Sequence, residues 1–181
     1  MMARWSMAAA AALALVACNA SAPSDAVAQR PASANPALSP AGLALVPLTV
    51  QSREKRHSFT VEVARSSQEQ AQGLMFRTEL APDAGMIFPF GAPKPASFWM
   101  KNTVIPLDII FVRTDGSIES IAANTVPYSL DPVSSNEPVA AVLELAGGRA
   151  AQLGIAPGDI VKWQDKRCQP HNGADTRGAP R

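Results

Sequence analysis

The chain has 181 residues, 47% of them apolar, and 16 Lys plus Arg stand against 15 Asp plus Glu. That length suits one domain with tails, and the near-neutral balance lacks the basic footprint of a nucleic-acid binder. Two cysteines exclude a disulfide-dense scaffold and a four-cysteine zinc site.

The N-terminus reads as an export address. One positive charge at Arg4 precedes an apolar run from Met7 to Ala17. A spanning helix needs about 20 apolar residues, so residues 1–17 are expected to be a signal peptide. The run ends in Leu15-Val16-Ala17-Cys18, which resembles the bacterial lipobox, in which the cysteine is acylated and becomes the new N-terminus. Cys18 is therefore the expected lipidation site and the membrane the expected partner through that lipid, with the domain facing the periplasm. Asn19 resembles the pattern that lets lipoproteins move to the outer membrane. Soluble secretion after cleavage at Ala20 or Ala22 is the alternative. Residues 18–42 are rich in Pro, Ala and Ser and show no apolar periodicity, so a tether is expected there. Residues 166–181 form a polar tail that includes Cys168, an odd thiol with no evident role.

The folded unit is expected over residues 43–165, where 10 Lys plus Arg face 13 Asp plus Glu, leaving the excess positive charge to the tails. Short β-rich runs recur at Leu45–Val50, Phe59–Val63, Gly85–Phe88, Ser97–Asn102, Leu107–Val112, Ser117–Ala122, Val139–Leu145 and Asp159–Trp163. Their spacing predicts a mainly β fold, a jelly-roll-like sandwich or barrel rather than alternating βαβ units. Two short helices are expected. Ser66 and Glu69 form a capping-box pattern with Gly73 as the stop, and Gly148 to Leu153 is a single turn closed by Gly154.

Asp115-Gly116 between apolar runs predicts a type I′ hairpin pairing Thr114 with Ser117, Val112 with Glu119 and Ile110 with Ile121. A loop over Thr103 to Pro106 would set Lys101 across from Asp108, Trp99 across from Ile110 and Phe98 across from Phe111. Asp108 within LDIIFV and Glu144 within AVLEL are carboxylates in apolar runs and need a cation or donors. They are either satisfied groups that fix strand register or the polar end of a pocket walled by Met75, Phe98, Trp99 and Met100, with Lys101, Arg77 and Asn102 as partners.

Val61-Glu62-Val63-Ala64, Gly73-Leu74-Met75-Phe76-Arg77, Gly85-Met86-Ile87-Phe88, Phe98-Trp99-Met100-Lys101-Asn102-Thr103, Leu107-Asp108-Ile109-Ile110-Phe111 and Val142-Leu143-Glu144-Leu145 follow one another along the chain. Together they resemble the successive motifs of the domain of unknown function 192 family over about Ser58 to Trp163. The resemblance implies a compact, mainly β, jelly-roll-like domain found in bacteria and archaea and often exported. It implies no activity.

The chain carries no GxSxG elbow, no Walker A loop and no GxGxxG. His57 and His171 are too far apart in sequence to share ligand spacing, so no metal or cofactor is expected. Met75, Met86 and Met100 read as core filler before they read as soft metal ligands. Three functions stay open. The first is a cell-envelope binding module that holds a small ligand, glycan or peptide in an apolar cleft with a Lys101/Asp108 polar end. The second is an envelope enzyme with Asp108 or Glu144 as general acid or base. The third is a protein–protein interaction module.

Overall fold

The computed structural model describes residues 37–53 and 55–164. Cys18, the signal peptide, most of the tether and the tail from Lys166 lie outside the described residues. The elements, in chain order, are β1 (Leu45–Ser52), β2 (Lys55–Val63), α1 (Ser67–Gln72), β3 (Ala84–Lys94), β4 (Ser97–Phe98), β5 (Leu107–Val112), β6 (Ile118–Ala122), β7 (Val133–Ser134), β8 (Val139–Ala146), α2 (Arg149–Leu153) and β9 (Ile160–Trp163). The fold is mainly β, as the recurring strand runs predict. Seven strands form one sheet in the order β6-β5-β8-β3-β2-β1-β9, curled into a half-barrel, and β4 pairs with β7 as a separate ribbon.

Connectivity departs from a simple meander. β8 returns from far along the chain to sit between β3 and β5. β2 and β3 run parallel, with α1 in the connection between them, so one βαβ unit is present after all. The side chains of β5 are all buried, as expected of an apolar run that is covered on both faces of a sheet. The fold also reaches back to Ser39, in the stretch that reads as tether, where the buried hydroxyl donates to Glu62 Oε2 at 2.8 Å.

Both predicted helix signals operate. Ser66 Oγ accepts from the Glu69 N–H at 3.1 Å, and Glu69 Oε2 accepts from the Ser66 N–H at 2.8 Å. Donation from the Ser66 and Arg65 backbones holds the Glu69 carboxyl below its ordinary range. α1 stops at Gly73, whose φ of 49° suits glycine.

The Asp115-Gly116 hairpin forms between β5 and β6, but with another turn. Only Gly116 has positive φ, at 87°, and its N–H donates to the Arg113 carbonyl at 3.0 Å while the Arg113 N–H donates to Ser117 O at 2.9 Å. This is a three-residue loop with a glycine bulge instead of a type I′ turn. The extra loop residue sets Ile118, not Glu119, opposite Val112, and a register irregularity between Phe111 and Val112 restores Ile110 opposite Ile121.

The second predicted hairpin does not form. The edges of β5 are taken by β6 and β8, so Phe98 pairs with Val133 and Ser97 with Ser134. Residues 100–103 turn instead, with the Thr103 N–H donating to Met100 O at 3.0 Å and Asn102 at φ 55°. Lys101 is thus exposed and not across from Asp108, and Trp99 and Phe98 do not face Ile110 and Phe111.

Two apolar layers lie against the sheet. One contains Leu48, Val61, Ile87, Ile110, Leu143, Leu145 and Ala150 of α2; the other contains Met86, Phe88, Ile109, Phe111, Val142, Leu74 and Met100. Asp108 is opposite Leu145 and Glu144 opposite Ile109. Strand alternation therefore sends the two carboxylates to opposite faces.

Asp108 is wholly buried. Its Oδ1 accepts from the N–H groups of Asn124 at 2.7 Å and Gly148 at 2.8 Å, and Oδ2 from that of Ala150 at 2.7 Å. The last lies in the first turn of α2, whose N-cap residue Gly148 supplies no side chain, so Asp108 caps α2 from a distance. An asparagine would keep one acceptor oxygen and set its NH2 against the Ala150 N–H. We expect Asp108→Asn to lower stability in urea by about 1.5–3 kcal/mol, the range for a buried bond to a charged acceptor; a change below about 0.5 kcal/mol would show that the three bonds do not hold the turn.

Candidate functional site

The second face of the sheet opens into a cleft of about 420 Å³. Three segments wall it. Gln70 to Met75 come from α1 and the turn that Gly73 allows, Phe88, Phe90 and Lys94 from β3, and Pro95 to Trp99 from β4 and its flanks; Thr103 and Glu144 complete the lining. Phe88 and Phe98 meet edge to face, with ring centroids 5.1 Å apart at 84°, which fixes the inner wall.

Whereas Lys94 is exposed, Glu144 is the buried ionisable residue of the cleft. It is 5% exposed, and Oε2 has no hydrogen-bond partner. Its strand neighbours Met86 and Ile109 offer no donor from their side chains. Burial pushes its carboxyl up to about 8, because the ionised form would sit in an apolar surround. The nearby cations are engaged elsewhere. Arg77 Nη2 is 2.8 Å from Glu62 Oε2, Lys94 Nζ lies 4.3 Å from the centroid of the Phe90 ring, and Lys101 Nζ lies 5.1 Å from that of Trp99. Burial thus favours the neutral acid of Glu144, which donates from one oxygen and accepts at the other.

The predicted site residues therefore separate. Met75, Phe98, Trp99 and Glu144 converge on the cleft. Asn102 adjoins it through Nδ2, 3.8 Å from Met75 Sδ, and Lys101 covers the Trp99 ring. Met100 is a core residue whose sulfur accepts from Thr125 Oγ1 at 3.1 Å. Arg77 serves Glu62, and Asp108 lies behind the sheet, so neither is a partner of Glu144. A Lys101/Asp108 polar end does not exist, and Asp108 cannot pair with Glu144 as two catalytic carboxylates. Glu62 and Glu69 are likewise occupied, by Ser39 with Arg77 and by the α1 cap. Sequence reading missed Lys94, Phe90, Gln70 and Gln72. The signal for Phe90 and Lys94 was the APDAGMIFPFGAPK run, which continues β3 past Phe88 and carries its end along the cleft, while Gln70 and Gln72 lie on the predicted helix.

Segments next to the lining residues Met75, Trp99 and Thr103 expose apolar side chains. Phe76 is 66% exposed, Trp99 51% and Tyr128 61%. Their segments are tied by backbone bonds, from Phe76 N–H to Asn102 O at 2.8 Å and from Tyr128 N–H to Thr103 O at 3.1 Å.

The family model of domain of unknown function 192 (DUF192), described as an uncharacterized ACR, matches residues 48–163. The chain belongs to this family. Among curated proteins none matches it. It is similar to a solved protein of unknown function from Novosphingobium aromaticivorans DSM 12444, with 56% identity and a TM-score of 0.70, covering 72% of this chain and 94% of that one. It is also similar to a solved candidate transcription regulator from Sinorhizobium meliloti 1021, with 43% identity and a TM-score of 0.66, covering 67% of this chain and 95% of that one.

The raised carboxyl has a thermodynamic signature. Below the unfolded value of 4.5 Glu144 is protonated in both states and adds no pH dependence; between 4.5 and about 8 the unfolded state alone ionises, so stability falls as pH rises. Glu144→Leu removes that slope. Thermal melts of the two proteins should therefore diverge, the variant gaining several degrees at pH 8 over its difference at pH 4.5. Parallel curves across that window would mean that Glu144 is paired or solvated.

Proposed function

We propose that this protein is a binding module of the cell envelope that holds a small ligand, or a short portion of a glycan or peptide, in the cleft above Glu144. One observation carries the reading: an open cleft edged by Phe90, Phe98 and Trp99 has in its lining a buried carboxyl with an unpartnered oxygen. Small-molecule sites combine apolar walls with a few convergent polar groups, and a buried group left unsatisfied in the free protein gains most from a ligand that satisfies it. A catalytic reading is less well supported, because general acid–base work on two sides of a bond needs a second free group and the other buried carboxylates are occupied. The description of the Sinorhizobium protein does not carry over readily either. The two helices among the described residues have six and five residues, too short to serve as a recognition helix in a major groove.

A thermal-shift screen of a fragment library on the full chain tests this reading. Ligands that raise the melting temperature should lose about tenfold or more in affinity on Trp99→Ala, while the melting temperature of the free variant stays within about 2 °C, since Trp99 is half exposed. Hits that ignore this substitution, or no hits, would sink the reading.

The envelope location rests on the lipobox-like Leu15-Val16-Ala17-Cys18 segment. A lipid on Cys18 followed by a Pro/Ala/Ser-rich tether would hold the cleft within reach of the membrane surface. Cys18→Ala should move the protein from the membrane fraction to the soluble fraction; unchanged fractionation would refute lipidation.

A further inference from the structure

We infer that the ligand of this cleft is uncharged and presents an amide group to Glu144, carried on a flat apolar body that lies between the aromatic walls. The inference rests on the binding reading above and adds the chemical class of the ligand.

The base of the cleft decides the polar part. Glu144 is buried on β8 with Oε2 unpartnered, and the elements packed against it leave it without a neutralising charge. On β3 its neighbour is Met86, and on β5 it is Ile109. Glu62 lies beyond Met86 on β2 and is held by Ser39 and Arg77. Asp108 is on the opposite face of the sheet. From the walls come Gln70, Gln72, Thr103 and Lys94. The Gln70 amide is committed to the carbonyls of Ala64 and Pro89, both at 3.2 Å, and the Thr103 hydroxyl to Lys101 O at 3.3 Å. The ammonium of Lys94 is exposed and rests on Phe90.

A group so placed is kept in its acid form, which offers one O–H donor and one carbonyl acceptor side by side. An amide carries the complementary pair, C=O and N–H, in one plane, so it can meet the O–H and the carbonyl of the acid together. A cation would have to ionise Glu144 in an apolar surround. An anion would bring an unpaired charge into the same apolar place. The partly exposed rings of Phe90, Phe98 and Trp99 supply the surface for a flat body.

Three probes of one shape separate these cases: benzamide, benzylammonium and benzoate, titrated into the full chain and followed by NMR shifts of Gly73, Phe98 and Trp99. Benzamide should bind at least tenfold tighter than the other two at pH 6. Its affinity should fall as the pH passes about 8, where Glu144 ionises. Glu144→Gln, which keeps a donor and an acceptor, should retain benzamide within about threefold at pH 6 and abolish the pH dependence, while Glu144→Leu should lose binding. Tighter binding of benzylammonium, rising with pH and lost in Glu144→Gln, would leave the binding cleft standing and overturn the neutral amide class. Preference for benzoate would overturn it as well. No response of these residues to any probe would count against both the class and the cleft.

Discussion

The Asp108 carboxylate is the tie on which the arrangement of this domain depends. Three backbone N–H groups converge on it from Asn124, Gly148 and Ala150, segments that follow β6, follow β8 and open α2. β5 and β8 are neighbours within the sheet, and the three N–H groups turn inward onto a carboxylate that water does not reach. A carboxylate is an acceptor with two oxygens and no donor, so it suits a site where donors alone converge. Once α2 is held there, Ala150 joins the layer formed by Leu143, Leu145 and Ile110.

Closing one face this way leaves the other free to differ. A strand carries its side chains alternately to the two sides, so consecutive positions of β5 and β8 supply both layers. Asp108 and Glu144 are equally apolar in their local sequence context, yet one meets three donors and the other leaves an oxygen unpartnered. The difference comes from what lies over each face. α2 with its exposed backbone N–H groups covers the first, and side chains of α1, β3 and β4 surround a cleft over the second. A fold that gained only stability from Glu144 would place an apolar residue of like size there, because a desolvated carboxyl without a partner is a cost.

Much of this was legible in the sequence, and the part that was not has a common cause. β5 was readable to the residue because an apolar run bounded by turn residues is a local signal. The α1 cap was readable for the same reason. What local pattern does not contain is which strand takes an open edge. LDIIFV can pair with the preceding FWMKN run or with the distant VAAVLELA run, and either satisfies its backbone. The choice of β8 removed the Lys101–Asp108 pairing and, with it, the site first drawn around that pair. Glu144 was correctly singled out as a problem to be solved; the identity of the other wall residues required knowing that β3 extends to Lys94 and that β4 turns away from β5.

The loops that adjoin the cleft at Met75 and Thr103 bear on why the binding reading is preferred to a purely structural one. Phe76, Asn102 and Tyr128 have positive φ values of 63°, 55° and 62°, and two of the three are bulky aromatics for which that region is strained. Strain of this kind costs on the order of 1–3 kcal/mol per residue and persists where surrounding bonds over-determine the backbone. Here the bonds from Phe76 to Asn102 and from Tyr128 to Thr103 lock the three loops to one another. The outcome is exposure of Phe76, Tyr128 and Trp99 on adjoining loops, the opposite of what burial alone would select. Rigid loops that hold aromatic rings out in water lose little further conformational entropy when something is placed against them, which is the physical advantage of a preorganised binding edge.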